Sequence, residues 1–102
     1  MEIIMKLPKG YSKFDAADYL KTEEDMALYL EACIDEADGD TAFIAKALGT
    51  IARARGMTKL SKDTGLSREG LYKALSGEGK PEFDTILKVI HALGLRLHVG
   101  TA

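Results

Sequence analysis

The sequence predicts a mainly helical single domain, residues 1–102, with short β-prone segments at its two ends. Apolar residues recur at three- and four-residue spacing through most of the chain, which is the period of a helix with one buried face. Most such stretches are introduced by Ser, Thr or Asp and halted by Gly, the usual start and stop chemistry of helices. Only the runs 2–7 and 95–99 lack this period. At 102 residues the chain is long enough for one hydrophobic core and too short for two.

The elements follow in order. Residues 2–7 (EIIMKL) form a short β-prone run closed by Pro8 and Gly10. Ser12 is placed to cap a short helix over 14–20, with Asp15 and Asp18 near its positive end. Thr22 caps a longer one, with Glu23, Glu24 and Asp25 in its first turn and Gly39 after its end. Its apolar positions are Met26, Tyr29/Leu30, Cys33/Ile34 and Ala37. Asp40 or Thr41 opens a third helix, in which Phe43/Ile44, Ala47/Leu48 and Ile51/Ala52 make one broad apolar stripe. Arg53 and Arg55 suit the negative end of its dipole, and Gly56 stops it. Two short helices, 58–64 and 68–76, come next. The run Gly77-Glu78-Gly79-Lys80-Pro81 is a loop. A helix over 84–93 is expected to bury Phe83, Ile86/Leu87, Ile90 and Leu93 and to stop at Gly94. Residues 95–99 (LRLHV) alternate apolar and polar, the pattern of a half-buried strand. A lone edge strand needs a partner, here either the run 2–6 or the same strand of a second subunit.

Composition excludes several classes. No apolar run approaches the ~20 residues of a membrane span, and the N-terminus lacks the apolar region of a signal peptide. Cys33 is the single cysteine, so there is no internal disulfide framework; a cytoplasmic protein is expected. The net charge is −2, but it is unevenly spread. Residues 1–40 carry 4 Lys/Arg against 11 Asp/Glu, and residues 41–102 carry 10 against 5. An acidic front and a basic back suggest two surfaces with different partners.

The stretch 60–77, LSKDTGLSREGLYKALSG, breaks one helix and starts another within a few residues. That is the pattern of a helix-turn-helix, with Gly65 taking the positive φ of the turn and Ser67 capping the second helix. Leu60, Thr64, Leu66, Leu71, Ala74 and Leu75 can then face inward, and Ser61 is small enough to let the helices approach. Ser67, Arg68, Glu69, Tyr72, Lys73 and Ser76 are left facing outward as candidate base-reading residues. Arg68 can donate twice to guanine O6/N7, and Glu69 can accept from cytosine N4 or orient Arg68. Thr58, Lys59, Lys62 and Lys80 flank the unit as candidate phosphate contacts, which position without specifying sequence. Residues 53–80 carry 7 Lys/Arg against 3 Asp/Glu, so the basic charge concentrates here. Gly70 inside the second helix costs about 1 kcal/mol relative to Ala. Either something approaches the backbone there or the helix is loose. The competing reading of the whole unit is an ordinary helical hairpin with solvated charges.

Catalytic and metal chemistry find no foothold. His91 and His98 have no cysteine at ligand spacing. Glu23, Glu24 and Asp25 are explained by the helix dipole. The acidic run from Asp35 to Asp40 lacks the glutamate a calcium loop requires. Cys33 lies on an apolar face, and SGEGKP lacks phosphate-loop spacing. No enzyme activity, cofactor or metal is expected.

The segments SREGLYKALS (67–76), the Gly79/Pro81/Phe83 loop and ALGLRL (92–97) resemble those of the HigA-like addiction-module antidote proteins, helix-turn-helix antitoxins of type II toxin–antitoxin systems; the likeness spans about residues 14–99. The resemblance implies five to six helices around a lambda-repressor-like helix-turn-helix. It also implies a homodimer that binds double-stranded operator DNA, neutralises a RelE/HigB-like ribonuclease toxin and represses its own operon. Residues 67–76 alone match positions expected to read DNA. Lys80 stands where an uncharged polar residue is frequent. Ribonucleases need basic surfaces, so the acidic residues 1–40 are the expected toxin-binding region, through the acidic helix 23–38 and the N-terminal run; the alternative is that this helix simply caps the domain and keeps it in water. The alternatives are a stand-alone phage-type transcriptional regulator and a protein-interaction domain that no longer binds DNA.

Overall fold

Capping residues set the helix boundaries. The structure, a computed structural model, describes residues 15–101. The β-prone run 2–7, the Pro8–Gly10 turn and the Ser12 cap lie outside the described residues. A single 3₁₀ turn, Ala16–Tyr19, stands where the first short helix is expected, and Asp15 caps it by accepting from the Ala17 N–H at 3.1 Å.

Helix α1, Glu23–Ala37, opens with a capping box. Thr22 Oγ1 accepts from the Asp25 N–H at 3.0 Å, and the Asp25 carboxylate accepts from the N–H groups of Thr22 and Lys21. Two of the orphan N–H groups of a helix start are thereby satisfied reciprocally. Met26, Leu30 and Cys33 form its buried face. Asp38 and Gly39, both at positive φ, reverse the chain into α2, Thr41–Arg55. Asp40 is the cap of α2, accepting from the N–H groups of Ala42 and Phe43.

Helix α2 is the central element. Ala45, Ala47, Leu48, Ile51 and Ala52 are buried, the last two completely. Phe43, expected in the apolar stripe, is instead 39% exposed, and Ala45 takes a place in the interior. Asp15 pairs with Arg53 at 3.0 Å and Glu23 with Arg55 at 3.5 Å, tying the start of the described chain to the C-terminal end of α2.

Gly56 alone separates α2 from α3, Met57–Thr64, and three residues separate α3 from α4, Arg68–Ala74. Helix α5, Phe83–Ala92, follows the Gly-rich loop and halts at Leu93 and Gly94. It packs on α3, while α1 packs on α2. One core results, running from Leu20 through Leu48, Ile51, Leu60, Leu71 and Val89 to Leu93.

Two further expectations fail. Phe83 is 67% exposed, because it is the first residue of α5, beside the loop; Ile90 and Leu93 are buried as expected, and Val89 joins them. No strand forms at 95–99, and none is present among the described residues. A strand requires a hydrogen-bonded neighbour. Here the last backbone bond is from the Leu95 N–H to the Ile90 carbonyl. Leu95 still packs on the core, whereas Val99 is 98% exposed.

Ile51→Ala is expected to lower unfolding free energy by about 2–5 kcal/mol, since the site is sealed and cannot collapse around the missing atoms. Urea unfolding followed by circular dichroism measures this. A second expectation concerns pH. Burial pushes the Cys33 thiol up, opposed by a hydrogen bond from Tyr29 and assisted by Glu36. Burial likewise raises the Tyr29 phenol, with Cys33 adding to it. The folded chain thus holds both protons more tightly than the unfolded chain. Stability is then lost as pH rises through the ordinary thiol and phenol values, about 8.5 and 10. Urea midpoints between pH 7 and 10.5 should fall, and fall less in Cys33→Ala.

Candidate functional site

The junction between α3 and α4 is built by short-range hydrogen bonds. Gly65 sits at φ 77°, a conformation that a side chain would strain, and its N–H bonds to the Ser61 carbonyl at 2.9 Å. Thr64 Oγ1 donates to the Leu60 carbonyl at 2.8 Å and accepts from the Leu66 N–H at 3.2 Å. Ser61 Oγ donates to the Leu66 carbonyl, closing the turn from the inside. Ser67 Oγ then accepts from the Gly70 N–H at 2.9 Å and caps α4. Every turn residue is therefore either at its required φ or hydrogen-bonded.

The inward set lies where its spacing requires. Leu60 and Leu71 are fully buried, Leu75 is 5% exposed, and Thr64, Leu66 and Ala74 are half-buried. Along α4 the core-facing residues Leu71 and Leu75 are one turn apart. Glu69 and Lys73, also one turn apart, occupy the opposite face, with Arg68 and Tyr72 beside them. Ser67, Arg68, Glu69, Tyr72 and Lys73 are all exposed. Ser76 is not on the helix: α4 ends at Ala74, and Ser76 is half-buried in the loop. There its Oγ donates to the Lys73 carbonyl and accepts from the Glu78 N–H. The hydroxyl of Ser67 is partly committed to its cap, which leaves its proton free to donate outward.

Thr58, Lys59 and Lys62 are exposed on α3, and Lys80 is exposed in the loop. Lys59 is paired with Asp63 one turn on, at 3.3 Å, whereas Lys62 and Lys80 have no ion pair among the described residues. Gly70 is exposed, and a Cβ there would meet only Ser67 Oγ, at 3.1 Å. Core packing does not demand its glycine.

A cleft of about 500 Å³ between α2 and α4 adds residues that the linear pattern did not single out. Its walls include Lys46, Thr50 and Arg53 from α2 and Tyr72 and Ser76 from the far side, over Met57 and Leu75. Lys46 and Arg53 are seven residues apart, so two helical turns place both cations on one face of α2. That spacing was the available signal, and the helix dipole had accounted for Arg53 alone. The cleft is contiguous with the outward face of α4 through Tyr72.

No group of three or more His, Cys, Asp or Glu able to hold a metal exists among the described residues. His91 and His98 are both exposed. Cys33 is 2% exposed, and its raised proton affinity keeps it a packed thiol. None of the described helices is long and apolar enough to cross a membrane.

Comparison with known proteins adds a second line of evidence. A family model described as "Probable addiction module antidote protein" matches residues 10–101. An uncharacterized protein of Haemophilus influenzae is 50% identical over 86 residues, covering 84% of this chain and 87% of the relative. No solved structure matches.

Because Ser67 holds the start of α4, Ser67→Ala is expected to cost about 0.5–2 kcal/mol and Ser67→Asp much less. Amide hydrogen exchange across residues 68–71 should rise in the alanine variant and not in the aspartate variant.

Proposed function

The chain belongs to the family of probable addiction module antidote proteins, and from that premise we propose that it is a sequence-specific DNA-binding antitoxin. In this reading it neutralises a RelE/HigB-like ribonuclease toxin and represses its own operon in the bacterial cytoplasm. The observation that carries the DNA-binding part is the α3–α4 pair. Two short helices joined at Gly65 leave Arg68, Glu69, Tyr72 and Lys73 exposed on one rod while Leu71 and Leu75 anchor the other side. That arrangement supports a helix-turn-helix of the lambda-repressor-like kind, with α4 as its reading helix.

The dimensions suit a duplex. Seven residues at about 1.5 Å rise make α4 about 10 Å long, and the major groove is about 12 Å wide. Arg68 and Glu69 at its start meet base edges. Tyr72 and Lys73, one turn on, reach bases or phosphates, with Ser67 and Ser76 at the two ends. Thr58, Lys59, Lys62 and Lys80 bear on the sugar-phosphate backbone. Lys59 exchanges its Asp63 partner for a phosphate as it does so. The open side of Gly70 lets a groove wall approach the backbone.

Operator binding of this kind is two-fold, with half-sites about 34 Å apart, so the active species is a homodimer. The backbone of residues 96–101, which makes no backbone hydrogen bond among the described residues, is one place where a second subunit can bond.

The test uses fluorescence anisotropy on DNA from upstream of the chain's own gene. Arg68→Ala is expected to weaken operator binding by about 1–3 kcal/mol and to flatten discrimination between operator and scrambled DNA. Lys62→Ala should weaken both DNAs alike and reduce the slope of log affinity against log salt by about 0.9. Identical behaviour of the two variants would sink the division between reading and anchoring. Absence of any salt-dependent binding would sink the DNA-binding role itself.

A further inference from the structure

A second concavity lies away from α4. A groove of about 560 Å³ runs between the outer face of α1 and residues 94–98, with Ile90 of α5 beneath. Its lining is partly apolar. Ala27, Leu30 and Ile34 form one side, Leu95 and Leu97 the other. Ile34 is 41% exposed and Leu97 46%, on the flank of a helix that carries six carboxylates and no Lys or Arg. Such apolar exposure is at odds with a helix face whose task is only to stay in water.

Five of these six carboxylates fall into two groups. Glu23 is held by Arg55, and Asp25 is used in the capping box. Glu24, Glu31 and Asp35 line the groove, and none of them has an ion pair among the described residues. Arg96 and His98 stand on the opposite wall, and neither pairs with these acids. The groove therefore presents an apolar floor beside three carboxylates without an ion pair among the described residues, with Arg96 the one cation across from them, and next to a backbone with no hydrogen bond after Leu95 among the described residues.

We propose that this groove is the seat of a basic amphipathic segment of a partner protein, its apolar side chains lowered between α1 and residues 94–98 and its Lys/Arg facing Glu24, Glu31 and Asp35. The charge pattern selects this occupant. An anionic ligand or an acidic lipid surface would be repelled, and a wholly apolar segment would leave the three carboxylates desolvated without a counter-charge. Such a pairing combines rapid, field-guided encounter with apolar anchors that slow dissociation. The proposal rests on the antitoxin reading, in which the partner is the ribonuclease, since a protein that grips RNA phosphates carries exposed cations. It also revises the expected toxin-binding region. Residues 1–40 supply one wall, and residues 94–98 supply the other.

The experiment titrates purified toxin, the product of the neighbouring gene, into the full chain and its variants by calorimetry. Leu97→Asp makes the surface more negative, so it cannot weaken a merely electrostatic contact. It is expected to weaken toxin binding at least tenfold, as is Ala27→Arg. Leu28→Asp, on α1 at a 65% exposed position outside the groove, should stay within threefold of wild type. Operator binding should be unchanged in Ala27→Arg and Leu28→Asp. A Leu/Lys helical peptide should compete with toxin for the unmodified chain, and its Leu/Glu counterpart should not; this arm does not depend on any variant folding. Wild-type affinity in Leu97→Asp and Ala27→Arg would overturn the groove. So would a loss in Leu28→Asp as large as theirs, or a loss of self-association with toxin binding intact, which would give the groove to a second copy. Failure of the unmodified chain to bind toxin at all would instead overturn the antitoxin reading, and the groove's assignment with it.

Discussion

The seat of α4 on α2 is the constraint on which the rest depends. Gly49 lies in the middle of α2, and a Cβ at that position would stand 3.0 Å from the Leu75 carbonyl oxygen. Omitting that one carbon lets the end of α4 come down onto α2, where Leu71 and Leu75 reach the core beside Ile51. A glycine inside a helix costs about 1 kcal/mol in propensity. The close approach it allows fixes which side of α4 is hidden, and so which side faces outward. Sealing the inner side leaves Arg68, Glu69, Tyr72 and Lys73 with nowhere to go but solvent or a ligand.

Around that contact the molecule separates two surfaces of opposite character. The cations of α3, α4 and the following loop gather at one, together with Lys46 and Arg53 of the α2–α4 cleft. The carboxylates of α1 gather at the other. The core contains no buried charged or polar residue among the described residues. The two groups meet only at the end of α2, where Asp15 pairs with Arg53 and Glu23 with Arg55; elsewhere each surface keeps the sign of its own charges.

The ends of the helices are secured by local chemistry. Thr22, Asp40 and Ser67 each satisfy N–H groups that a helix start leaves open. The ion pairs are surface features on side chains about a third exposed or more on at least one partner, and they add little to stability. Cohesion comes from the apolar stripes of α1, α2, α3 and α5 meeting around Leu48, Ile51, Leu60 and Val89.

Helix starts, helix stops and the inward set of the α3–α4 unit were legible in the sequence, because caps, glycines and a 3.6-residue period act over only a few residues. The family likeness was legible for the same reason, being carried by contiguous segments. Tertiary structure decided whatever depends on residues distant along the chain. LRLHV has a strand's alternation, yet alternation cannot supply the neighbour that a strand must bond to. Phe83 is as apolar as a core residue, yet its place at the first turn of α5 leaves it outside. Lys46 and Tyr72 line one cleft, and Leu97 and Ala27 line one groove, only because the chain folds back on itself, and no local pattern encodes those meetings. A sequence determines by itself what neighbours along the chain can settle; which surfaces face each other across a cleft follows from packing.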